Sequence, residues 1–249
     1  MKRLFPTMYE RPETHTLICG IAYFGIVFWL FPIFLGLLMQ GSFQNTPILS
    51  GMEIFYHAVN FAVTTWIFRE FLKESFLDFR DDFKKILPLV GVVLLCIIIV
   101  TFTLGYSAVI LNSASLEFIL ASMLPLAEND LFALSFDIVY LSPLWGTLCM
   151  VFLAPITTSC LLYSTGFAPV CCNRPLLAYL VAIVTLALPH CFKAISLWAY
   201  QTELTLFFSQ LPIHLLACWT YQKTDNIFAP ILTLSAANLY SCLMILLLL

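Results

Sequence analysis

The sequence predicts an all-α, polytopic membrane bundle of about seven transmembrane helices. Three observations predict it. First, 61% of the 249 residues are hydrophobic and only 10% are charged, with a mean hydropathy of +0.97. A soluble domain is about 45–50% apolar and about 25% charged. Second, the apolar residues fall into long runs, and a span needs roughly 20 of them. Third, the runs are continuous and lack the alternation of lipid-facing strands, which argues against a membrane barrel. A single integral membrane domain, 1–249, follows, because no segment has the composition of a soluble domain.

The runs lie at 16–39, 51–70, 86–111, 143–164, 175–195, 203–220 and 228–249. The second is the weakest, because it holds His57, Asn60, Arg69 and Glu70, so six or eight spans are the alternatives to seven. The first run is too long for the apolar region of a secretory signal, and no small-x-small cleavage pattern follows it.

Charge orients the bundle. Lys2, Arg3 and Arg11 precede the first span, and Arg69, Lys73, Arg80, Lys84 and Lys85 lie between the second and third. Arg174 and Lys223 fall in two further loops on the same side, and only Lys193 falls on the other. The rule that positive loops stay inside predicts a cytoplasmic N-terminus. No basic patch points to nucleic acid, so the expected partners are the lipid bilayer and a membrane-embedded peptide or protein.

Between spans two and three, Phe68, Phe71, Leu72, Phe76, Phe79 and Phe83 recur at steps of three or four with charges between them. This is the pattern of an amphipathic helix in the cytoplasmic interface, with its phenylalanines in the acyl region. It reads as a plain connector or as a lateral gate or lipid sensor. The stretch 112–142 has no Lys or Arg and carries Glu117, Glu128, Asp130 and Asp137, so it faces outward in this topology.

The nine cysteines are scattered through apolar runs and read as packing residues. Cys171-Cys172 is not a CxxC pattern and has no second pair at ligand spacing. His57, His190 and His214 have no spacing that demands a metal, so no metal or cofactor is expected. His57 and Asn60 share one helical face, and these residues and His214 read as helix–helix hydrogen bonds.

A second layer of signal is the order of landmarks. A charged, phenylalanine-rich segment leads into a very apolar span, and Glu128-Asn129 follows in a loop. Pro143 opens a span containing Ala154-Pro155-Ile156, and the next span ends in His190. Tyr221 to Leu232 then leads to Asn238. This order resembles the CPBP family of intramembrane proteases, also called Abi, which includes CAAX prenyl proteases and bacteriocin-processing proteins. The resemblance runs from about Phe71 to Asn238; it implies a core of about 125–245 after N-terminal spans and an interfacial helix at 1–111. It implies that a pair of glutamates belongs near Thr158 and Ser159, or one residue earlier, and an arginine near Tyr163. It keeps the second-motif histidine as His190, with Leu186 replacing a phenylalanine, and keeps Asn238, with Leu234 replacing a histidine.

The family chemistry needs a general base with a pKa near the working pH. Hydroxyls at Thr158 and Ser159 have none, so no residue is assigned a catalytic role. The resemblance therefore implies a catalytically inactive relative, a pseudoenzyme that binds or regulates a membrane peptide or protein partner. Bacteriocin self-immunity and peptide maturation are the family's contexts, and a bacterial cytoplasmic membrane is its usual location. Two alternatives stay open. One is an active intramembrane endopeptidase with an atypical set, in which Ser159 or Thr158 pairs with His190. The other is a small transporter component, suggested by Pro32, Pro155, Pro189 and Pro212 within spans.

Overall fold

A computed structural model describes residues 12–27, 46–112, 143–171, 174–197 and 200–248. These residues form an all-α bundle. Its helices are α1 (Thr14–Gly25), α2 (Thr46–Ile67), α3 (Arg69–Asn112), α4 (Pro143–Leu148), α5 (Ala154–Thr158), α6 (Ala168–Cys171), α7 (Pro175–Leu197), α8 (Tyr200–Thr224) and α9 (Phe228–Leu248). Two π-helical segments, Cys149–Leu153 and Ser159–Phe167, join α4, α5 and α6 into one composite helix. An apolar chain forms helices because each backbone N–H and C=O is then satisfied within its own segment.

Two helical stretches, Arg69–Val100 and Pro143–Cys171, are long and apolar enough to cross a membrane, and Pro175–Leu188 and Phe228–Leu243 are shorter apolar helices. Outward-facing positions on these helices are also apolar, as at Val92, Leu95, Ile99, Phe152, Leu180 and Val184. The loop expected at 112–142, with Glu128 and Asn129, lies outside the described residues apart from the last turn of α3. So does the second half of the first predicted span.

Specific contacts fix the helix directions. Tyr23 on α1 donates to Asn60 Oδ1 on α2 at 2.6 Å, and Gly20 sits against Phe68, so α1 and α2 are antiparallel. A Cβ at Gly20 would lie 2.6 Å from Phe68 and 2.8 Å from Thr165, so this close crossing requires glycine. Ile54 packs on the Cys149–Ala154 region, while Phe68 and Thr165 meet at Gly20, so α2 and the composite helix run the same way. Tyr179 donates to Gln222 Oε1 at 2.9 Å and His190 meets Gln210 farther along, so α7 and α8 are antiparallel. Phe167, Tyr179 and Tyr221 form an aromatic cluster that closes one end of the bundle. Arg174 and Lys223 follow this cluster directly in the chain, and Arg69 follows Phe68 at the same end.

One boundary differs from the sequence reading. The charged segment 69–85 is not a separate helix, because α3 continues through Lys85 and Pro88 to Asn112. The charge boundary at Lys85 marks a change of surroundings and leaves the backbone unbroken. The α8–α9 turn is built beside this segment. Asp225 takes a left-handed φ of 58° just after α8, and its N–H bonds to Tyr221 O, a common way to end a helix. Asn226 then donates to Ser75 O and accepts from the Phe228 N–H, both at 2.8 Å, which pins the turn to α3.

Candidate functional site

The composite helix lies among α1, α2, α7 and α9 and carries the densest set of buried polar groups. Its irregular backbone begins with Pro155. Proline has no N–H and its ring crowds the carbonyl one turn back, so a regular α-helix cannot pass through it unperturbed. The chain answers with a wider turn, in which the Ala154 N–H bonds to Cys149 O, five residues back. In that register the donor for Met150 O would be the N–H of residue 155, which proline lacks. Asn238 on α9 supplies the missing donor, its Nδ2 lying 2.8 Å from Met150 O. Asn238 is thereby given a structural task by the proline of Ala154-Pro155-Ile156.

After α5 the second π-helical segment presents Ser159, Tyr163 and Ser164 inward, all fully buried. Tyr163 is tied to α8, its hydroxyl 2.6 Å from His214 Nδ1. One turn before His214, Gln210 Oε1 is 3.1 Å from Nε2 of His190 on α7. The His190 ring also packs edge-on against Phe207. Two polar links thus join the composite helix to α8 and α8 to α7, through side chains one turn apart on α8. Their observed partners are a phenol and a carboxamide. Neither is the carboxylate that orients an imidazole and raises its basicity in a hydrolytic triad.

Thr158 and Ser159, at the glutamate positions of the resemblance, are buried, and their hydroxyls have no hydrogen-bond partner among the described residues. Ser164 Oγ is in the same condition. This departs from the usual behaviour of hydroxyls in helices, which bond the carbonyl one turn back. Thr157, Thr185, Thr233 and Ser241 do so in this protein. Neither Thr158 nor Ser159 bonds to His190. Leu234 is buried in the main apolar core with Leu186, so the position matched to a family histidine is a packing position.

The helix–helix reading of Asn60 and His214 holds, with Tyr23 and Tyr163 as the partners. Gln210 carried no signal in the sequence reading; a carboxamide one turn before a histidine in an apolar span is the pattern that marks it. Cys149, Cys160, Cys171, Cys218 and Cys242 are buried among apolar side chains, and Cys172 lies outside the described residues. Among the described residues, no group of three or more His, Cys, Asp or Glu side chains converges as metal ligands would.

In comparisons with known proteins, no family model, no curated protein and no solved structure matches this chain.

Proposed function

We propose that this is an integral membrane protein that binds a membrane-embedded peptide or a partner's transmembrane segment without cutting it, as a CPBP-like bundle that has lost its catalytic groups. The observation that carries this reading is the pair of buried hydroxyls at Thr158 and Ser159. An unpartnered hydroxyl in an apolar interior costs roughly 1–3 kcal/mol. A donor held at that cost suits an acceptor brought from outside, and a carbonyl of a membrane-embedded peptide is such an acceptor. Neither hydroxyl titrates near neutral pH, so neither activates water as a glutamate does.

The reading extends to seven spans, with the N-terminus on the cytoplasmic side of a bacterial cytoplasmic membrane. The antiparallel and parallel pairings support it, because Arg69, Arg174 and Lys223 fall at one end of the bundle. That is the arrangement the positive-inside rule favours.

The test uses the purified protein in lipid nanodiscs and a panel of fluorescent transmembrane and prenylated peptides. Anisotropy reads binding and mass spectrometry reads cleavage. Saturable binding without product is expected, weakened about tenfold in a Thr158→Val, Ser159→Ala double variant, the loss for one buried hydrogen bond. Cleavage that disappears in His190→Ala would replace this reading with an atypical protease. Binding untouched by the double variant would remove the hydroxyls from the site.

A further inference from the structure

The first five turns of α3 carry three separate faces. Phe71, Ser75 and Ile86 are buried against the bundle, and Phe79 stacks on Phe228. Glu70, Glu74, Asp78 and Asp81, spaced four, four and three apart, form a second, exposed acidic face. Lys73, Phe76, Leu77, Arg80, Phe83 and Lys84 form a third face, also exposed and spaced by three and four. Of the ten charges at 69–85, Glu70, Glu74, Asp78 and Asp81 share one side and Lys73, Arg80 and Lys84 another, while Lys85 falls on the acidic side in an ion pair with Asp82. The exposed large apolar side chains lie with the basic group. Arg80 pairs with its neighbour Asp81 in an exposed contact of 3.3 Å. Such pairs are worth little in water. Lys73 and Lys84 make no ion pair among the described residues.

The path of the helix decides what this third face meets. Ser75 O accepts from Asn226, the Phe76 and Phe79 rings lie 5.5 and 5.3 Å from Phe228, and Ile86 packs on Ala229. From Ser75 to Ile86 a helix advances about 16 Å. Its partners lie at the end of α8, in the α8–α9 turn and at the start of α9. The segment therefore packs on the α8–α9 end of the bundle, and directly before it Phe68 contacts α1 at Gly20. It lies over the charged end of the bundle, and its third face runs on into the exposed apolar surface of α3 at Leu87.

We propose that the Lys73–Phe76–Leu77–Arg80–Phe83–Lys84 face docks on anionic phospholipid. The phenylalanines and Leu77 enter the acyl boundary, the lysines and Arg80 engage headgroup phosphates, and the acidic face is turned to water. Each Lys or Arg near an anionic surface contributes attraction, whereas acids there would be repelled, which accounts for the sorting by sign. The inference rests on the membrane reading above and is independent of the peptide site.

The test is native mass spectrometry of the full chain from mixed micelles holding equal phosphatidylglycerol and phosphatidylcholine. The wild type is expected to retain phosphatidylglycerol in preference. K73Q/R80Q/K84Q is expected to lower that preference roughly a hundredfold, at about 1 kcal/mol for each charge removed. The acidic-face control, E70Q/E74Q/D81Q, is expected to keep it or raise it, and thermal melts verify that both variants are folded. Equal effects of the two variants, or none, overturn the proposal; in the latter case a face that instead captures an acidic peptide in the same micelles belongs to a protein partner. Extraction of the membranes with alkaline carbonate separates the two levels. A chain that stays in the pellet but shows no lipid preference rejects only this inference, and a chain that washes off rejects the membrane reading itself.

Discussion

Asn238 offers the sharpest test of the way the composite helix is built. Replacing it with leucine removes the only side-chain donor seen on Met150 O and leaves that carbonyl buried against apolar side chains. An orphaned buried carbonyl costs about 1–3 kcal/mol, more than the net worth of an ordinary hydrogen bond. Leucine keeps the branched skeleton of asparagine and is larger, so the loss does not arise from a cavity. The cause assigned here is the missing N–H of Pro155, and that makes a stronger claim than a simple loss of stability. In a Pro155→Ala background the backbone N–H of residue 155 reaches Met150 O in the same five-residue register that Ala154 already uses. Asn238→Leu is then expected to cost under about 0.5 kcal/mol, giving a coupling energy of about 1–2 kcal/mol in the double-mutant cycle. Unfolding in detergent is followed with a thiol-reactive dye, because Cys149, Cys160, Cys218 and Cys242 are buried and become reactive only on opening. Equal costs of Asn238→Leu in the two backgrounds would refute the argument. Asn238 would then be stabilising for some reason unrelated to the proline.

The remaining predictions use the same unfolding assay. Tyr163→Phe removes the hydroxyl beside His214 Nδ1 and is expected to cost about 1–3 kcal/mol, while adding His214→Leu costs less than the two single changes summed. Gly20→Ala forces a methyl group against Phe68 and Thr165 and is expected to cost about 1–3 kcal/mol, with Phe68→Leu recovering part of it. Asn226→Ala frees both Ser75 O and the Phe228 N–H, and is expected to cost about 1–3 kcal/mol while loosening the α8–α9 turn, visible as faster hydrogen exchange at Phe228.

The features legible in the sequence were those written in hydropathy and charge. Apolar runs located the three helices after residue 174 to within a few residues and the start of the composite helix, which runs seven residues past the expected end at 164, and steps of three and four revealed the amphipathic nature of 69–85. The join between that segment and the following span was not legible, because Lys85 and Pro88 look like an ending. A proline is tolerated where the carbonyl it abandons can still meet solvent, and Lys84 O is four residues back among exposed charged side chains. The π-helical register of 149–153 and 159–167 was also hidden. Apolar residues on every face give no period from which to distinguish a turn of 3.6 residues from a wider one; its marks are Pro155 and Pro169, each directly after the five-residue bond that ends a π-helical segment.

The pairing of Tyr163 with His214, and of His190 with Gln210, shows why a site in an apolar chain is harder to read than its fold. In a water-soluble protein a polar side chain on a buried face interrupts a visible pattern, and its partner lies on a face with the same interruption. Here the surroundings are apolar throughout, so a polar residue announces that it needs a partner without indicating which one. Energetics narrows the choice, since each buried donor or acceptor left unmet costs about as much as a single mutation that matters. The chain meets that demand at Tyr163 and His190 with side chains of other helices, and at Asn226 and Asn238 with their backbone carbonyls. Among the described residues it leaves hydroxyls unmet at Thr158, Ser159 and Ser164, within two turns of the composite helix, and at Thr64 on α2. A bundle that caps a proline-orphaned carbonyl with an asparagine from a distant helix has the means to satisfy three hydroxyls. That three stand open within two turns of the composite helix, beside its π-helical segments, is the reason to seek the binding partner there.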